Sequence, residues 1–317
     1  MKHIYICSCD TDGGIYHYTL SNGNFVFCDR LPLNRPMYMV TAGKKAYIML
    51  RECERDTHFG GLVTCDISPD GSLTGLTPPI SSNGIVPCHL CVDNGTVYTV
   101  NYLSGNIVKI PDKTVTHIGH GCDTARQDAP HTHFVTAAHD GYLLCCDLGL
   151  DTIFSYDKNL NEVSKASVPD GQGARHLEFS NDGKLVYCVN EMGNTLSIFE
   201  YSGGKMAIKS TIELLTASAP KSTSAAIRRV NDILYISHRG ADCISRVRLD
   251  GENATLLENT PCGGASPRDI LPVGDLLLCA NELTDDVTVL QLSNSAPKLI
   301  DTKITLKHPL CICSVDI

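Results

Sequence analysis

Apolar positions in this chain come in short alternating runs rather than at helical spacing, and the runs form a repeating unit. The clearest copies are VPCHLCVDNGTVYTVNYLSGNIVKI (86–110), APHTHFVTAAHDGYLLCCDLGLDTIFSYD (129–157), GARHLEFSNDGKLVYCVNEMGNTLSIFEY (173–201) and ASPRDILPVGDLLLCANELTDDVTVLQL (265–292). Each reads as an apolar segment, a Gly-centred turn, a second apolar segment, a polar corner and a third apolar segment. Alternation of this length predicts half-buried strands. Copies begin near Arg35, Val86, Ala129, Gly173, Ser222, Ala265 and His308, 43 to 51 residues apart. A unit of that size cannot bury its own apolar faces, so the period predicts an array of small β-sheets.

Inside the unit one spacing is nearly rigid. A polar corner stands at Asn101, Asp147, Asn190, His238 and Asn281; three positions earlier lie Tyr98, Leu144, Tyr187, Tyr235 and Leu278. The spacing predicts a strand that ends in a tight corner and returns antiparallel. Asn94-Gly95, Asp140-Gly141 and Asp182-Gly183 supply residues for positive-φ turns. Pro36, Pro87, Pro130, Pro267 and Pro309 are read as opening the first strand, where a missing N–H costs little. The seventh start, HPLCIC (308–313), runs out after one strand at Ile317, and the rest of that unit stands at the other end as HIYICSCDTDGGIYHYTL (3–20). The expectation is a single all-β domain over residues 1–317, a seven-bladed β-propeller closed by pairing of the N- and C-terminal strands.

Composition adds limits. A formal charge of −9 and no run of four Lys/Arg argue against nucleic acid and anionic membrane as partners. The start, MKHIYICSCD, is strand-like and lacks a signal-peptide core, and no stretch is long enough for a transmembrane helix, so a cytoplasmic protein is expected. The sixteen cysteines are spread along predicted strands, where a reduced thiol serves as a small hydrophobe. Cys88-x-x-Cys91 has no second pair to complete a zinc site, and no metal or other cofactor is expected.

In a propeller the start of each innermost strand and the adjoining corner border the central channel. Most units place Met37, Cys88, Ala226 or Leu310 just after the strand opening, but three differ: His131-Thr132-His133, Arg175-His176 and Arg268-Asp269. The corners add Glu191, Arg239 and Glu282; the second and third units add Arg35, Arg51 and His89. His, Arg and Glu converging on one mouth suit an anionic ligand and proton transfer. Each has a plainer reading. His131 and His133, two apart on a strand, could share a face as metal ligands; Arg175 could be an ion-pair partner of Glu191, and Arg239 a solvated corner. Arg268 and Glu282 are read as structural, and Asn101, Asn190 and Asn281 as corner hydrogen bonders.

The segments GARHLEFSNDGKLVYCVNE, PHTH and SAAIRRVNDILYISHRG together resemble the seven-bladed-propeller lactonases, a family that includes a bacterial type of 6-phosphogluconolactonase and the fungal carboxymuconate lactonising enzyme. The resemblance spans nearly the whole chain. It implies a lactone hydrolase of carbohydrate metabolism, in the pentose phosphate pathway, whose ligand is a small anionic sugar lactone. Its catalytic candidates are His133, Arg175, Glu191 and Arg239, with His131, His176, His89 and His238 as substrate-binding candidates. Two departures stand out: His238 replaces an Asn usual in the family, and residues 51–61 form an insertion. In such a site a His133 or Glu191 base would activate water while arginines meet the oxyanion or clamp an anion. A lyase or cycloisomerase acting on a dicarboxylate would use the same groups. A non-catalytic binding propeller is the third class; the absence of Trp removes the WD40 type.

Overall fold

A computed structural model describes residues 2–21, 23–53, 57–215 and 221–317. Among these residues there is no α-helix, and the strands form seven sheets. Blade 1 is assembled from both chain ends: Pro309–Asp316 pairs antiparallel with Lys2–Ser8, followed outward by Gly14–Ser21 and Asn24–Pro32. The innermost strands of blades 2 to 7 are Pro36–Ala42, Pro87–Asp93, Thr132–Ala137, Ala174–Phe179, Thr223–Val230 and Pro267–Val273. Each of these seven strands touches the next, and the last returns to the first, which closes the ring around the channel. Closure removes two open sheet edges without a covalent bond.

The alternation explains the packing. Each sheet presents apolar residues on both faces, and seven separate clusters form, one at every blade interface. Ile4, Ile6 and Ile312 of blade 1, for example, meet Leu278, Val287 and Ile304 of blade 7. Cys7, Cys65, Cys145, Cys146, Cys188 and Cys279 fill such positions as buried thiols, and no disulfide joins the described cysteines. The Cys88 and Cys91 thiols are pushed up to about 12 by burial, so they remain protonated and unreactive.

The polar corners close one hairpin geometry throughout: Asn101 pairs with Asn106, Asp147 with Thr152, Asn190 with Thr195, His238 with Cys243 and Asn281 with Asp286. Asn94 and Gly95 both have positive φ, as their two-residue turn requires. Pro36, Pro87, Pro267 and Pro309 open strands as expected, but Pro130 does not: it precedes the strand that starts at Thr132. Of the insertion read at 51–61, residues 54–56 lie outside the described residues, and Phe59–Ile67 forms the third strand of blade 2.

Two backbone devices shape the channel mouth. Arg35, Val86, Gly173, Ser266 and His308, each just before an innermost strand, sit at positive φ. For the non-glycines this costs about 1–2 kcal/mol each, offset where the carbonyl accepts a bond from the neighbouring corner, as in Arg51 N–H to Arg35 O (3.0 Å) and Tyr102 N–H to Val86 O (2.9 Å). Two residues after these positions a register shift leaves one residue extra to the ladder, and the remaining two innermost strands shift at His133 and between Ser224 and Ile227. A bulge of this kind re-aims its side chain, and here it aims seven side chains at the channel.

Candidate functional site

Each blade therefore has two residues in register at this end of the channel, one at the bulge and one after the corner, although Leu148 and Ala225 are fully buried there. Blades 1 to 3 provide Leu310 with Cys9, Met37 with Arg51, and Cys88 with Tyr102. Blades 4 to 7 provide His133 with Leu148, Arg175 with Glu191, Ala225 with Arg239, and Arg268 with Glu282. The bulge position in blade 6 is thus Ala225, not Ala226, which packs into the interface with blade 7. The charged half of the ring lies in blades adjacent both in sequence and in space.

Glu191 is the hub of that half. It is 4% exposed, and three guanidinium groups reach its carboxylate: Arg126 Nη2 at 2.6 Å, Arg175 Nε at 2.8 Å and Arg239 Nη2 at 2.9 Å. Burial alone would raise its pKa; Arg239, then Arg175, then the other neighbours outweigh it and hold the carboxyl far below the usual range. Such a carboxylate is a poor base and a strong organiser. Arg175 is wholly committed to the protein: besides Glu191 it donates to the Ala225 carbonyl of the next blade (2.6 Å) and to His176 Nε2 (3.1 Å). Burial pulls its pKa down to about 10, which still leaves it charged at neutral pH. Arg239 is freer, and its Nε is a buried donor with no partner among the described residues.

His133 faces the same space. Its ring contacts the rings of Tyr102 and His176, and its Nδ1 has no hydrogen-bond partner among the described residues. Burial, then the positive charge of Arg175, holds it well below the ordinary histidine range, so it is neutral. A cavity of about 200 Å³ is bounded by His133, Glu191, Arg239, Arg126, Tyr102 and Arg268. A neutral imidazole, the Arg239 guanidinium and a rigid anionic anchor thus line one cavity.

The structure brings His133, Arg175, Glu191 and Arg239 together, sets His176 directly beneath them, and places His131, His89 and His238 elsewhere. His131 is not paired with His133 as a same-face couple: the strand begins only at Thr132 and bulges at His133, and His131 stacks on Tyr102 at 4.5 Å. His89 lies below the mouth, packed against Tyr38 and Phe134. His176 lines a small space beneath the floor and supports Arg175. His238 does not reach the mouth: fully buried, it bonds Ser245 Oγ (2.6 Å) and Ser224 Oγ (3.0 Å). It does the work of the corner asparagines, since Asn190 bonds Ser197 and Asn281 bonds Thr288 in the same way.

Three participants escaped the sequence reading. Arg126 belongs to the irregular segment between blades 3 and 4, outside the repeat; the Asp123 side chain caps its N–H, and buried Gln127 ties the segment to the Leu148 carbonyl. Tyr102 follows a corner, the position that held Glu191 and Arg239, and could have been found by that register. Arg228 sits deeper, paired with Asp269 at 2.7 Å, and forms part of the channel floor. Arg268, read as structural, lines the mouth and pairs with Glu282 only at 3.6 Å.

The class these features define is a seven-bladed propeller with an arginine-rich channel mouth. Residues 3–314 match the model of the family described as Lactonase, 7-bladed beta-propeller, and the chain belongs to that family. A Staphylococcus aureus protein of uncharacterised function is 30% identical over 347 aligned positions, covering 95% of this chain and 99% of that one. The crystal structure of a Bacteroides fragilis protein, provisionally assigned as a 6-phosphogluconolactonase, superposes with a TM-score of 0.90 at 25% identity, covering 99% of this chain and 98% of that one. The periplasmic gluconolactonase of Pseudomonas aeruginosa shares the fold, with a TM-score of 0.86 at 19% identity over 100% of both chains.

Proposed function

We propose that this lactonase hydrolyses a sugar lactone carrying an anionic substituent, 6-phosphogluconolactone being the leading candidate, by direct attack of water. The observation that carries the reading is the shared cavity, lined by neutral His133, the Arg239 guanidinium and the triply clamped Glu191. Water attacks the ring carbonyl carbon while His133 takes its proton. The carbonyl oxygen becomes an oxyanion met by Arg239. Collapse breaks the ring C–O bond, and the departing alkoxide recovers the proton from the His133 imidazolium. Glu191 and Arg175 act as positioning residues that hold Arg239 and Arg126 in place. Between the two base candidates, His133 is preferred because three guanidiniums already occupy Glu191.

The test is a panel of sugar lactones and muconolactones assayed by acid release, with spontaneous hydrolysis subtracted. Acceleration on 6-phosphogluconolactone that His133→Ala and Arg239→Ala reduce by about 10²-fold or more supports the assignment. Acceleration on muconolactones alone moves the protein to dicarboxylate chemistry, and none on any lactone removes the enzymatic reading.

A further inference from the structure

The mouth has a second lobe that the proposed chemistry does not use. It opens beside the first, has a volume of about 360 Å³, and is built on the corners of blades 7, 1 and 2. Its charged walls are Arg35, Arg51, Arg268 and Glu282, over a floor of Met37 and Leu310. Arg35 and Arg51 have no carboxylate partner among the described residues, and Arg268 has only its long contact to Glu282. The three guanidiniums converge. Cys9 lies among them, and although burial raises its thiol pKa, Arg51, Arg268 and Arg35 all pull against that rise. Arg35 is held there by the positive φ that opens its blade, with its carbonyl bound by Arg51 N–H.

The charge balance is specific. Across both lobes and the Arg175 beneath them, six of the chain's twelve arginines face two glutamates, on a protein of formal charge −9. No lysine lines either lobe. Clustering so many cations around so few carboxylates is unfavourable unless an anion joins them, and the guanidinium fork suits an oxyanion bound through two atoms. Arg268 lines both lobes, so a ligand spanning them would touch it at its middle.

We infer that Arg35, Arg51 and Arg268 form an anion subsite for a phosphate monoester remote from the lactone carbonyl. This rests on the reading of the first lobe as the hydrolytic centre. Three guanidiniums against one glutamate exceed what a single carboxylate needs, and they match a doubly charged phosphate. Arg35 and Arg51 are specificity-determining residues that never meet the reacting carbonyl.

The experiment compares wild type with Arg35→Gln/Arg51→Gln on two substrates and two ligands. For 6-phosphogluconolactone, KM should rise roughly 10- to 100-fold, the worth of one or two charge-assisted bonds, with kcat little changed. For the unphosphorylated gluconolactone both constants should stay at wild-type values. Calorimetric binding of 6-phosphogluconate to wild type should be lost in step in the double variant, while gluconate binds both forms alike. Arg51→Lys, keeping the charge, should recover part of the phosphate preference. Equal kinetics and equal 6-phosphogluconate binding in wild type and variant would overturn the subsite, as would an equal loss for gluconate. If wild type turns over no lactone but the variant still loses 6-phosphogluconate binding, the subsite stands and the hydrolase reading falls.

Discussion

At the scale of single residues, the mouth separates groups that hold from groups that react. Glu191 and Arg175 are both buried, so removing either strands an opposite charge, at about 3–5 kcal/mol. Glu191→Gln and Arg175→Ala should therefore lower the melting temperature as well as activity. Arg239→Ala, at a side chain 18% exposed, should cost about 10²-fold in kcat/KM with a much smaller shift in melting. Thermal unfolding run beside kinetics distinguishes the two patterns. Because burial keeps His133 neutral down to well below pH 6.5, the acid limb of kcat/KM should lie below that value. A limb centred at an ordinary histidine pKa would show that another group is the base. The repeat register made His133, Arg175, Glu191 and Arg239 candidates for the mouth, and the family resemblance singled them out from the rest. Arg126 was not, since it lies in a segment with no register and is placed by hydrogen bonds to Asp123 and Leu148.

At the scale of elements, the corner and the bulge convert a repeated sequence into a varied site. The corner hairpin is conserved in geometry across blades whose side chains differ, which lets His238 replace asparagine. That exchange has a pH signature. Burial depresses His238 to about 3, so between that value and its ordinary 6.5 the unfolded chain binds a proton that the folded chain does not. Stability is therefore lost as pH falls below about 6.5. His238→Asn should keep the fold and reduce the slope of unfolding free energy by up to about 1.4 kcal/mol per pH unit in that window. Denaturant titrations at several pH values measure it, and an unchanged slope would mean that His238 is protonated in the native state. The bulges were invisible in the sequence. Period-two alternation placed His131 and His133 on one face, and a single extra residue breaks that parity.

At the scale of the whole molecule, closure depends on the last strand. Ending the chain at Lys307 would remove Pro309–Asp316, leave the inner edge of Lys2–Ser8 unpaired and break the ring between Pro36–Ala42 and Pro267–Val273. Such a chain should lose its cooperative unfolding transition and aggregate, as read by circular dichroism and size-exclusion chromatography; a sharp, unaltered transition would show that the ring does not need this clasp. Charge also acts at this scale, since a net negative protein gathers half its arginines around one opening.

The amino-acid sequence by itself determined the blade count, the split blade and the corner positions, because alternation and turn chemistry are local and recur with the repeat. Only the tertiary structure decided which side chains share a space. Glu191 meets Arg126 from a distant segment, His238 turns inward to Ser245, and Arg35, Arg51 and Arg268 meet across blades joined only when the ring closes. Those contacts depend on ring order and on bulges that reset side-chain direction, and neither leaves a periodic trace in the chain.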